Sequence, residues 1–169
     1  MHASRQFADT AAGVVYVHAA APALCPHVEW ALAGVLDSPP NLKWTAQPAA
    51  HGVLRATADW RGPVGTASRL VRALAPWPML RYEVTEDPTE GVDGVRFSYV
   101  PDLGLWQGTT SACGDVVLGE MRLRALLAQG GDVATAIRDG LGEQWDDALE
   151  PYRSGGEGAE VTWLRRDVG

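Results

Sequence analysis

The chain has 169 residues, 46% of them hydrophobic, and a formal net charge of −7 at pH 7. That is enough chain to bury the core of one ordinary domain, and it holds no apolar run long enough to cross a bilayer. Residues 1–88 carry seven basic and seven acidic residues, and residues 89–169 carry seven and fourteen, so the acidic excess lies in the second half and disfavours non-specific binding to nucleic acid or to an anionic membrane.

Residues 1–12 read as a flexible tail. The start, "MHASRQFADTAAGVV", lacks a basic region followed by an apolar one, so no secretory signal is expected. Two cysteines, Cys25 and Cys113, without an export signal suggest a reducing cytoplasm rather than a disulfide scaffold. Thirteen of the fourteen basic residues are arginine. Arginine, alanine and glycine all have GC-rich codons, so arginine abundance carries no functional weight.

Residues 13–48 and 52–88 repeat one order of elements: a glycine with a β-branched run, a loop, a helical pattern, a proline-marked turn and a strand. The strands alternate with period two. Leu42, Trp44 and Ala46 oppose Lys43, Thr45 and Gln47. Leu54, Ala56, Ala58 and Trp60 oppose Arg55, Thr57 and Asp59. Leu80, Tyr82 and Val84 oppose Arg81, Glu83 and Thr85. Strand–helix–strand twice over predicts an α+β fold: a ferredoxin-like βαββαβ antiparallel sheet over about residues 13–88. Residues 92–169 then form a C-terminal lobe of strands and short helices within one compact domain spanning 13–169. Strands are expected at 95–100 and 103–110, helices at 120–129, 132–140 and 143–152, and a last strand at "AEVTWLRR", residues 159–166. The lobe is expected to lie over the open face of the sheet, where Lys43, Arg55 and Arg81 would meet acidic residues.

The first helix starts at "LCPHVEWALAGVL", residues 24–36. Val28, Ala31, Leu32, Val35 and Leu36 form one apolar stripe. Pro26 suits the first turn, and Glu29 suits the positive end of the helix dipole. A cysteine at a helix start can have a lowered pKa, and His18, at the end of the first strand, could approach Cys25 as a base. Against that stands the ordinary reading of a free cysteine as a small buried hydrophobe. His18, Cys25 and His27 lack a fourth ligand and a paired-ligand spacing, so no metal site is assigned. Trp30 points away from the apolar stripe and needs a cover, either from the C-terminal lobe or from a partner.

"WRGPVGTASRL" places Gly65, Thr66, Ser68 and Arg69 at a strand-to-helix turn whose N–H groups could hold a phosphate or a pantetheine-bearing ligand. It is neither a P-loop nor GxGxxG, and a capped turn explains it as well. Glu143, Asp146, Asp147 and Glu150 share a helical face, which reads as a solvated acidic surface before it reads as a cation site. Cys113 and Asp115 in "SACGD" read as turn chemistry. The third strand shows Arg55 and Thr57 where an RNA-binding sheet would carry stacking aromatics. No hydrolase triad spacing, zinc-protease motif, EF-hand or dinucleotide fingerprint occurs, and no cofactor is expected.

"YVHAAAPALCPHVEWALAGVL", "WTAQPA", "GTASRLVRALAPWPMLRYEVTEDP" and "WDDALEPYRSGGEGAEVTWL" resemble the actinobacterial family catalogued as domain of unknown function 3145. The resemblance spans nearly the whole chain after the tail. It implies a cytoplasmic protein of about this length, with no activity attached, and a gene-neighbourhood link to fatty-acid synthesis. It also implies that a Cys25–Cys113 redox pair is not a family mechanism. Two expectations follow. One is a non-enzymatic protein-binding or regulatory module that uses Trp30, with a protein partner or self-association, possible ties to acyl-carrier metabolism, and no nucleic-acid or membrane partner. The other is a thiol-dependent enzyme or acyl/phosphate ligand binder that uses Cys25, His18 and the "GPVGT" loop. The balance is against an enzyme.

Overall fold

The computed structural model describes residues 10–154. The expected strand at 159–166 and most of the expected N-terminal tail lie outside them. Seven strands form one antiparallel sheet: β1 (Thr10–Ala20), β2 (Thr45–Ala46), β3 (Leu54–Pro63), β4 (Arg81–Glu86), β5 (Gly94–Val100), β6 (Gly104–Thr110) and β7 (Val116–Val117). Their order across the sheet is β2-β3-β1-β4-β5-β6-β7. Five α-helices complete the described chain: α1 (Cys25–Ala33), α2 (Thr66–Leu74), α3 (Glu120–Gln129), α4 (Val133–Leu141) and α5 (Glu143–Ser154). The fold is therefore α+β. None of these helices is long and apolar enough to cross a membrane.

β1 lies between β3 and β4, with Val15 opposite Ala58 on one side and Val84 on the other. Its side chains alternate across the sheet. Val15 and Val17 join the main core with Trp60, Tyr82 and Val84, and α1 and α2 close that core through Val28, Leu32, Leu70 and Leu74. The stripe expected on α1 is the stripe it buries, continued past its end by Leu36. α2 buries Thr66, Ala67, Leu70, Val71 and Leu74. Gly13 is required by close approach: a Cβ there would collide with the Thr85 carbonyl and the Trp60 ring.

The second strand is shorter than its alternation suggests. Only Thr45 and Ala46 pair with β3, opposite Arg55 and Leu54. Leu42 and Trp44 instead pack against the core, and Trp44 Nε1 donates to Glu29 Oε1 at 2.7 Å. Glu29 is therefore an anchor for Trp44, not a partner of the helix N-terminus, whose first turn holds no acid.

α5 packs on β5 and β1, on the sheet face opposite α1 and α2. Leu149 is fully buried there, and Trp145 Nε1 donates to the Gly104 carbonyl at 2.9 Å. Part of the open face is thus covered, and one buried ion pair there runs from an acid of the sheet to a base of the helix. The sheet contributes the acid Glu83 and the helix contributes Arg153. Arg81 lies over the Tyr152 ring, 4.7 Å from its centroid, rather than against a carboxylate. α3 buries no residue at all.

Candidate functional site

α1 and α2 pack on one sheet face and against each other, so the residues they turn outward share one surface. Trp30 is 75% exposed there. His27, one turn earlier on α1, has its ring 6.0 Å from that of Trp77, in the loop after α2. Met79, two residues further on, is 74% exposed. A tryptophan standing in water on a packed helix is a large apolar surface for a partner to cover. α2 adds exposed Arg69 and Arg72 and carries no acidic residue. Among the described residues neither arginine has an ion pair. The acid of α1, Glu29, is committed to Trp44. This surface is therefore aromatic and locally basic on a protein whose net charge is −7.

Cys25 and His18 are not brought together. Cys25 is buried in the core between sheet and helices, where its Sγ lies 3.6 Å from the Ala21 carbonyl. Burial pushes the thiol pKa up, and the nearby Glu29 carboxylate pushes it further. Both effects work against a thiolate nucleophile. His18 follows the alternation of β1 to the opposite face, stacks on Tyr16 and has its Nε2 2.7 Å from Glu83 Oε2.

The "GPVGT" turn already holds an anion, supplied by the chain itself. Gly65 N donates to Glu86 Oε1 at 2.8 Å and Ala67 N to Glu86 Oε2 at 2.9 Å. Thr66 Oγ1 donates to the Pro63 carbonyl and Ser68 Oγ to that of Gly65. Gly65 has a φ of 93°, which suits glycine. Arg69 is exposed beside the turn. The backbone donors a phosphate would need are occupied by a buried carboxylate from β4.

The network under α5 escaped the sequence. Glu83, fully buried, accepts from His18 Nε2, from Ser98 Oγ at 3.1 Å and from Arg153 through two donors, Nε at 2.9 Å and Nη2. Arg153 also reaches Asp146 at 2.9 Å, and Asp146 lies 3.5 Å from Arg96. Burial alone would raise the Glu83 pKa. The hydrogen bonds from His18 and Arg153, with the charge of Arg153, overcome it and hold the carboxyl well below the usual carboxylate range. The same contacts hold Arg153 above its ordinary value despite burial. Glu83 and Arg153 are each buried with a charged partner, which is what a structural latch requires. The available signal was Glu83 itself, a carboxylate in a strand otherwise rich in buried residues, but its partner is 70 positions away.

Among the described residues, no group of three or more His, Cys, Asp or Glu side chains is placed to hold a metal ion. No curated protein and no solved structure matches the chain. One family model does match, over residues 14–166, nearly the whole chain, and the protein belongs to that family, described as protein of unknown function (DUF3145).

Proposed function

We propose that this protein is a non-enzymatic protein-binding module, and that the outer surface of α1 and α2 receives an acidic protein partner. The observation that carries the reading is Trp30, 75% exposed on a helix whose opposite side is fully packed. Tryptophan and arginine are enriched among interface residues that dominate binding energy. Arg69 and Arg72, without an ion pair among the described residues, supply positive charge on the same layer, which favours an acidic partner and speeds its encounter. An acyl-carrier class of partner fits that chemistry, and the resemblance that suggested it is independent of the charge argument.

The burial of Cys25, the distance of His18 from it in the fold, and the Glu86 carboxylate in the "GPVGT" turn all favour this reading over a thiol enzyme or a phosphate binder at that loop. Classing residues 13–88 as a ferredoxin-like unit is supported by the order β2-β3-β1-β4 with two helices on one face. We infer an actinobacterial, cytoplasmic setting from the family resemblance.

The test is a photo-crosslinking amino acid placed at position 30, and separately at exposed Val117 on the far edge strand as a control, in source cells. A discrete adduct with one acidic protein from position 30 and not from 117 supports the reading. No adduct at position 30, or the same adducts at both positions, contradicts it.

A further inference from the structure

The open face of the sheet holds a cavity of about 450 Å³ beyond the end of α5, walled by Val14, Thr85, Pro88, Arg96, Thr110 and Ala112 among others. That is the size of a small-molecule site. Arg96 is 6% exposed. A guanidinium has five N–H donors, yet the one hydrogen bond described for this side chain is a 3.5 Å contact from Nη2 to Asp146. Asp146 is held more closely by Arg153, at 2.9 Å. Arg96 Nε is buried with no partner. The Trp106 ring lies 5.2 Å from the guanidinium carbon.

A buried cation so short of acceptors is costly unless something supplies them. On the cavity wall, the oxygens of Glu86 each already accept from the N–H groups of Gly65 and Ala67, and Asp87 is exposed to water. Thr85 Oγ1 already accepts from Val14 N. Arg96 thus brings to this wall a buried guanidinium whose Nε–H has no partner.

We propose that the cavity binds a small oxyanion-bearing molecule, a carboxylate or phosphate head on Arg96 with a short apolar body against Val14 and Pro88. Planar oxyanions match the guanidinium fork and accept two hydrogen bonds at once. This site lies on the opposite side of the sheet from the Trp30 surface and does not depend on it.

The experiment titrates the full chain with inorganic phosphate and, separately, with butyrate at constant ionic strength. It follows the arginine Nε–H resonances by NMR together with tryptophan fluorescence, since Trp106 lies under Arg96. The expected result is a saturable shift of the Arg96 Nε–H signal, with a Kd of about 1 mM or tighter, for one of the two probes. Saturation by phosphate alone assigns a phosphorylated ligand, and by butyrate alone a carboxylate. Arg96→Met should abolish the response. Because that variant also removes a buried charge, Ala112→Phe is the second test: it fills the cavity from an exposed position, leaves Arg96 in place and should weaken binding at least tenfold. A response linear in anion concentration for both probes, or one that survives Ala112→Phe unchanged, overturns the proposal.

Discussion

Arg153 on the last helix grips Glu83 on a central strand through two donors, 70 residues apart in the chain. Neither side chain is more than 5% exposed. Removing one partner of a buried pair leaves the other charged and unsolvated, which costs about 3–5 kcal/mol. Arg153→Met should therefore lower the stability of the protein by about that much in urea denaturation, with unfolding of α5 leading. The double variant Arg153→Met/Glu83→Leu should recover much of the loss, because both charges then go together. Single and double variants of equal stability would show that the pair does not hold α5 down.

The same pair sets a pH dependence. Glu83 binds a proton less readily folded than unfolded, so the unfolded chain takes up protons first as pH falls. Its contribution is fully present above the unfolded carboxylate value of about 4.3 and is lost as pH drops below it. Denaturation midpoints measured from pH 7 down to pH 3 should fall in the wild type, and fall less steeply in Arg153→Met/Glu83→Leu. Parallel curves for the two proteins would assign the acid sensitivity to other groups.

Cys25 and Cys113 differ in burial, one in the core and one exposed in the turn after β6. Iodoacetamide at pH 8 should add one group to the native protein, at Cys113, and a second only in denaturant. Mass spectrometry of the digests reads this directly. Rapid modification of Cys25 in the native protein would restore the thiol-based reading.

Glu86 closes the start of α2 by accepting from the Gly65 and Ala67 N–H groups. Hydrogen bonds to a charged acceptor are worth about 1.5–3 kcal/mol. Glu86→Ala should destabilise by about 2 kcal/mol, and phosphate should partly rescue the variant while leaving the wild type unchanged. Equal phosphate stabilisation of both proteins would mean that the turn binds anions without vacating Glu86.

Much of the architecture was legible because it is written in local periods. The alternation of Leu54 to Trp60 and of Leu80 to Val84 located β3 and β4, and the stripe of Val28, Leu32 and Leu36 located the buried side of α1. The second strand was not legible in the same way. Leu42 and Trp44 have strand spacing, but Trp44 is drawn to Glu29 on α1, a tertiary contact that local pattern does not encode. His18 shows the same limit. Its nearness in sequence to Cys25 suggested a pair, whereas the pleat of β1 sends it to the other face, to Glu83. Asp146 read as one of four solvated acids, because Arg96 and Arg153 become its neighbours only after α5 packs. Trp30 was legible as outward-facing from the helical wheel alone, whereas Arg69 and Arg72 join its layer only once α2 packs against α1.

The central claim concerns that outward tryptophan. The most direct measurement is the affinity of the purified protein for the partner crosslinked at position 30, compared among wild type, Trp30→Ala and Arg69→Glu/Arg72→Glu at low and high salt. Trp30 makes no buried contact that stability depends on, so Trp30→Ala should keep its folding free energy within about 0.5 kcal/mol. It should nevertheless bind at least tenfold more weakly, a loss of about 1.4 kcal/mol. The charge-reversed variant should bind weakly at low salt and lose the salt dependence of the wild type. Wild-type affinity in both variants would contradict the account and place the partner elsewhere on the protein.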